Sequence, residues 1–203
     1  MKINIDILEA AAKYVTGYFA HKLDSKFTYH NCSHTGYVVR SVKKLCAIMK
    51  VKEHEMNLLS VAAWFHDLGF TKQIEGHEQI GAQLAEEFLL ANKVDEKEIT
   101  LVKSCILATR YPQYPTTILE QIICDADLMY LGDKDFFKIS ANLRQEWEFT
   151  KSITYSDADW YRMNLNFISF HRFHTRYAFS NVERQRNKTV KILEMKLIPS
   201  LCA

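Results

Sequence analysis

Apolar positions recur three and four residues apart along most of this chain, and strict alternation is nowhere sustained. Residues 4–21 place Ile5, Ile7, Leu8, Ala12, Val15 and Phe19 at helical spacing, until the polar run Asp24-Ser25-Lys26 breaks the pattern. Phe27 to His34 reads as a turn entering a helix, with Asn31 or Ser33 as its cap. That helix extends to about residue 49 on a stripe of Val38, Val42, Leu45 and Met49. Residues 55–67 are apolar almost all round, from Met56 and Leu58 to Trp64 and Phe65, which places this helix at the centre of a domain. It closes on His66-Asp67, with Gly69 as the expected helix stop. Further helices are predicted at 76–92, at 95–109 (stopping before Pro112) and at 116–131. Residues 133–150 and 157–196 supply two or three more, rich in aromatic and basic side chains. The expected fold is all-α, in a single domain over 1–203 with no repeat, low-complexity tract or linker.

Composition supports this picture. Only 6 Gly and 3 Pro punctuate 203 residues, which favours long helices over many short turns. Hydrophobic residues at 48% against 25% charged describe a globular chain. A net charge of +2, with scattered Lys and Arg, argues against nucleic-acid and membrane-surface partners. The five cysteines are odd in number and form no CxxC pair, so neither a disulfide framework nor a zinc knuckle fits. Cys105 and Cys124 lie in apolar runs and read as buried thiols. No apolar run approaches the ~20 residues needed to cross a bilayer. The N-terminal MKINIDILEAAAKYV lacks a signal-peptide core, so a reducing cytoplasm is the expected compartment.

Three elements carry chemistry. His66-Asp67 closes an otherwise wholly apolar helix, and a buried imidazole beside a carboxylate is costly unless both are satisfied. By itself the dipeptide is a weak signal and reads more readily as a hydrogen-bonded pair capping a core helix. His30 and His34 stand four residues apart and share a face if their helix begins early. A zinc-protease motif needs Glu after the first histidine, where this chain has Asn31. Asp125 and Asp127 sit in the apolar context IICDADLMYL, where carboxylates need a cation, a basic side chain or a hydrogen-bond network. Together these residues make a mixed nitrogen and oxygen donor set suited to Zn, Fe, Mn, Co or Ni. Three or four protein ligands with an open position describe a catalytic site rather than a structural one.

The order His34, then His66-Asp67, then Asp127 resembles the signature of the HD-domain metal-dependent phosphohydrolase superfamily. The segments YHNCSHTGYVV, AAWFHDLGF, GHEQIGAQLAEEFL and ICDADLMYLG are similar to a bacterial group of predicted HD phosphohydrolases. The likeness covers about 25–135, the core of an HD-type helical bundle. It extends into the C-terminal helices, about 136–203, through HTRYAFSNVERQRN. The resemblance implies that His34, His66, Asp67 and Asp127 ligate a divalent transition metal, with Mg as a candidate second ion. It leaves Asp125 behind the ligands or in helix packing. It also implies that His30 protonates the leaving oxygen and that His77 supplies a second metal ligand or a phosphate contact. Arg110 and Arg144 are candidate phosphate clamps, although each is more often a surface charge.

The chain departs from two-metal members in one respect: only His77 lies between the HD pair and Asp127, and no histidine occurs from Glu78 to Phe170. Arg110 follows Ala108-Thr109, where many relatives of the group carry a histidine. One metal, or a second held mainly by Asp67 and waters, is the expectation. His171 and His174 read as packing and surface histidines. The leading function is hydrolysis of a phosphate ester of a nucleotide or small phosphorylated metabolite. A non-catalytic nucleotide sensor comes second, and a diiron oxygenase, which needs the missing ligands, third. A small phosphorylated molecule is the expected partner, and the C-terminal helices are candidates for a homodimer contact.

Overall fold

The computed structural model describes residues 1–198. Their regular structure is helical throughout, with no strand among the described residues: α1 (Ile5–Lys22), α2 (Cys32–Met49), α3 (Glu53–Phe65), α4 (His77–Ala91), α5 (Glu96–Ala108), α6 (Ile118–Leu128), α7 (Phe136–Lys151), α8 (Asp157–Phe170) and α9 (Arg176–Leu197). Short 3₁₀ turns follow α3 at Leu68–Thr71 and α6 at Met129–Gly132. Among the described residues no helix is long and apolar enough to cross a membrane. The chain divides into two compact units, Met1–Asp127 and the residues from Leu128 onward.

In the first unit α3 is the axis, packed against α1, α2, α4 and α5. Its apolar circumference explains this: Leu58, Leu59, Val61, Ala62, Ala63 and Phe65 are all buried. The stripe on α2 is buried at Val38, Val42 and Leu45. Ile5, expected on the apolar face of α1, is exposed, and Ala11 is buried on that helix. Cys46, Cys105 and Cys124 are buried free thiols, and burial pushes Cys46 and Cys105 up to about 12. Cys202 lies outside the described residues.

Two buried carboxylates fasten the ends of this unit. Glu120 Oε2 accepts from the Thr116 and Thr117 backbone N–H groups at 2.7 and 3.0 Å and so caps the start of α6. Glu98 accepts from the Ile3 N–H at 2.7 Å and pairs with His54 Nε2 at 2.7 Å, which ties the chain start to α3 and α5.

The second unit contains α7, α8 and α9, with α8 packed on α9. Trp160 anchors it, donating from Nε1 to the Ser140 hydroxyl at 2.9 Å, which in turn donates to Asn164 at 2.9 Å. A Cβ on Gly132 would come within 2.1 Å of Val182 Cγ1, so only glycine lets the second 3₁₀ turn lie against α9.

Candidate metal centre

The site begins with a cap. Asn31 takes an extended conformation, and its Oδ1 accepts from the N–H groups of Ser33 (2.9 Å) and His34 (3.4 Å), fixing the first turn of α2. The helix therefore starts at Cys32, His30 stays in the preceding turn, and the two histidines do not share a helical face. Their rings are nevertheless close, with centroids 6.0 Å apart.

The HD dipeptide is shaped by the end of α3. In an unbroken helix, neighbouring side chains diverge by about 100°. Here α3 ends at Phe65, His66 is the last residue in helical conformation, and Asp67 turns away at φ −101°, ψ 2°. The two side chains then converge, with His66 Nε2 at 3.0 Å from Asp67 Oδ2. Gly69 does not act as the expected left-handed stop, since only Gly76 among the glycines has positive φ. Its role is close approach: a Cβ there would stand 2.0 Å from the His77 carbonyl oxygen. Gly81 does the same further along α4, where a Cβ would meet the Phe65 oxygen at 2.5 Å. Both glycines press α4 onto the HD corner.

Asp127, near the end of α6, completes the cluster. His34 Nε2 lies 3.3 Å from Asp67 Oδ2 and 3.2 Å from Asp127 Oδ1, and His66 Nε2 lies 3.6 Å from Asp127 Oδ1. One ligand atom each from His34, His66 and Asp127 fall within 4.8 Å of one another. His66 Nδ1 faces the Ala63 carbonyl at 2.8 Å, which assigns the ring proton to Nδ1 and leaves Nε2 a lone pair in the neutral imidazole. His34 Nε2, His66 Nε2 and Asp67 Oδ2 are all buried without a hydrogen bond, despite their short separations. Buried donor atoms left unpaired this close together are costly unless a cation or protons lie between them, and the mutual grouping within 4.8 Å comprises His34, His66 and Asp127, with Asp67 beside it. The donor set therefore fits a divalent transition metal.

The electrostatics agree. Burial works against a charged imidazole at His34, yet the Asp127 and Asp67 carboxylates outweigh it and hold the pKa above the ordinary histidine value. His66 is raised well above it on the same balance. Burial alone would raise both carboxyls, but the adjacent imidazoles hold Asp67 well below the usual range and Asp127 at about 2. A region this rich in negative charge collects protons until something stronger displaces them.

Asp67 divides its two oxygens. Oδ2 faces His34 and His66, while Oδ1 lies 3.5 Å from His77 Nε2. His77 opens α4, donates from Nδ1 to the Ile74 carbonyl at 2.8 Å, and stands 3.5 Å from Glu78 Oε1. His30 lies beside it, ring centroids 6.3 Å apart. The structure thus brings together His30, His34, His66, Asp67, His77 and Asp127. Asp125, fully buried on α6, contributes no atom to the ligand cluster. Arg110 is exposed in the loop after α5. Arg144 belongs to the second unit, where Glu148 (3.0 Å), Asp157 (2.6 Å) and the Tyr155 carbonyl take up its guanidinium and tie α7 to the start of α8. Tyr29 is tilted against His34 at 4.5 Å, and sequence reasoning misses one residue of the surroundings, Phe70, against His30 and His77. Phe70 follows the HD pair by three residues, and the aromatic in HDLGF is the one signal that points to it.

Residues 32–129 match the family model described as the HD domain. This segment is an HD domain. All four proposed ligands lie inside the matched segment. HD domains bind divalent metals, and the family is one of metal-dependent hydrolases. Among curated proteins, this HD chain is similar to the tRNA (cytidine(56)-2'-O)-methyltransferase of Thermoplasma volcanium, 32% identical over 111 residues. That match covers 47% of this chain and 31% of the methyltransferase, so the chain spans less than a third of that relative's length. Among solved structures, a crystal structure of a structural-genomics target from Lactobacillus plantarum matches with a TM-score of 0.74 at 14% identity. It covers 99% of this chain and 100% of that one, so the fold is shared throughout.

Proposed function

We propose that this HD-domain chain is a metal-dependent phosphohydrolase acting on a phosphate ester of a nucleotide or another small phosphorylated metabolite. The observation that supports the reading is the grouping of His34, His66 and Asp127 ligand atoms within 4.8 Å of one another, with the unpaired Asp67 Oδ2 at 3.3 and 3.0 Å from the two imidazoles and two further imidazoles beside them. His34, His66, Asp67 and Asp127 would hold a divalent ion drawn from Zn, Mn, Fe, Co or Ni, with Mg as a second-ion candidate beside Asp67. When bound, such an ion supplies Lewis acidity, acidifying water and offsetting charge on phosphoryl oxygens.

The chain's own side chains supply the rest. In hydrolysis a water oxygen forms a bond to phosphorus, the bond from phosphorus to the ester oxygen breaks, and that oxygen takes a proton. We assign that proton to His30, whose ring lies beside the cluster, a contribution of about 10²–10⁴ in rate. We assign His77, whose Nε2 lies 3.5 Å from Asp67 Oδ1, to a phosphoryl oxygen. Burial opposes its charged form, but Asp67 and Glu78 outweigh it and hold its pKa above the ordinary value, which favours the cation.

The test combines metal content per chain, on protein purified without chelator, with assay on a panel of phosphate monoesters and diesters. A His66→Ala/Asp67→Ala control accompanies it. About one divalent metal per chain, with turnover that the control lacks, supports the proposal. Metal content no higher than the control overturns the site and the function with it. Stabilisation by nucleotides without any turnover would mark a sensor instead.

A further inference from the structure

The Phe70 side chain touches both imidazoles that flank the metal ligands. Its ring lies face-on to His30 at 4.1 Å between centroids with 19° between planes, and to His77 at 3.9 Å with 27°. The three residues come from separate segments: His30 from the turn before α2, Phe70 from the 3₁₀ turn after the HD pair, and His77 from the first position of α4. Phe70 itself is buried and braced by Phe27 at 5.5 Å. We infer that Phe70 is a positioning residue, whose ring sets the orientation of both His30 and His77 toward the reacting group.

The physical need is specific. The second side-chain torsion of histidine is broad and roughly two-fold, so an imidazole at a partly exposed position needs contacts to orient it; His77 has one from Nδ1 to the Ile74 carbonyl at 2.8 Å, and the Phe70 face adds a second restraint on the ring plane. His30 and His77 are both partly exposed. A flat, buried neighbour in face contact limits each ring to the plane parallel to it and leaves the ring nitrogens directed from the edge. For His77 that edge meets Asp67 Oδ1 and Glu78 Oε1, each at 3.5 Å. For His30, Tyr29 closes the neighbouring side with an edge-on contact at 4.7 Å. One side chain therefore couples the candidate acid to the candidate phosphate contact, although neither adjoins the other in sequence.

This inference rests on the phosphohydrolase reading for its catalytic meaning, and the experiment separates the two. The ring protons of His30 and His77 are observed by NMR in zinc-loaded protein, assigned through His30→Gln and His77→Gln, with the exposed His21 as an internal reference. Stacking on Phe70 shifts both signals upfield of His21. In Phe70→Leu both move back toward His21 with zinc content unchanged, and kcat on the best substrate falls about 10²-fold, the scale of an ångström-level misplacement. Phe70→Tyr, which keeps the ring, retains the shifts and most of the turnover. Wild-type spectra in which only one ring, or neither, is shifted overturn the inference, and this arm holds even if the leucine variant does not fold. Loss of turnover only in step with loss of zinc also overturns it, since Phe70 would then be packing for the ligand corner. If the wild-type protein hydrolyses nothing, the phosphohydrolase reading falls, while the spectra still decide whether Phe70 orients the two rings.

Discussion

Replacing Gly69 with alanine adds a methyl group at the tightest point of the HD corner. The new Cβ would sit 2.0 Å from the His77 carbonyl oxygen, 2.7 Å from its carbonyl carbon and 2.8 Å from its Cα. Real Cβ contacts essentially never fall below 3.0 Å, so the first of these must open by 3.0 − 2.0 = 1.0 Å or more. The obstructing atoms are backbone, and no rotamer change relieves them. Overpacking of this kind costs about 1–3 kcal/mol, and a backbone clash belongs at the upper end. For a chain of this size, each kcal/mol lowers Tm by about 2–4 °C, which gives a fall of about 6–12 °C at 3 kcal/mol. The movement also has a direction: the start of α4 carries His77 away from Asp67 Oδ1, while the cluster of His34, His66, Asp67 and Asp127 stays in place. Thermal melting by circular dichroism, with metal analysis of the same samples, is the assay. The expected Gly69→Ala protein melts well below wild type, still binds metal, and turns over phosphate esters poorly. A melting point within about 2 °C of wild type would refute the close-approach argument.

Two more outcomes follow from the site. In the metal-free protein the raised pKa values of His34 and His66 give stability that is full below the ordinary histidine value of about 6.5 and lost as pH rises through the raised values. The lowered Asp67 and Asp127 give stability present above the ordinary aspartate value of about 3.9 and lost as pH falls through the lowered values. Melting of metal-free protein should therefore peak between about pH 4 and pH 6.5, and the stabilisation on adding zinc should grow from pH 5 to pH 8; a zinc effect that shrinks over that range contradicts the ligand assignment. Asn31→Ala removes the cap of α2 at a cost of about 1 kcal/mol, read as a Tm drop of about 2–4 °C, whereas Asn31→Asp should hold wild-type stability.

Much of the fold is legible in the amino-acid sequence. Helical periodicity locates α1 to α6 to within a few residues, because their apolar stripes and breakers agree. The central position of α3 follows from its lack of a polar face. The proposed ligand quartet is readable because carboxylates and imidazoles are conspicuous in apolar helices, and the HD signature supplies their order. Periodicity does not reveal long-range approach. Gly69 reads as a helix stop in sequence, and only the path of α4 shows that it makes room for a carbonyl. His30 and His34 share a helical face in sequence only if the helix begins early, and the Asn31 side chain starts it one residue after itself and leaves His30 outside it. Phe70 reads as one more apolar residue after a motif, since stacking between three separate segments leaves no local trace. Glu98 and Glu120 are equally silent in sequence: their partners include the Ile3 and Thr116 backbones, and backbone groups have no letter there.

The end of α3 has a consequence for anyone transplanting this centre. The His66 and Asp67 side chains converge only because the helix stops between them. Written into the middle of a continuous helix of another scaffold, the same two letters would splay apart and bind nothing together. A designer borrowing the motif needs to carry Phe65 to Thr71 as one piece, with a glycine at the third position past the histidine and a crossing helix to lean on it. What is portable here is a corner, and the two residues are only its most visible part.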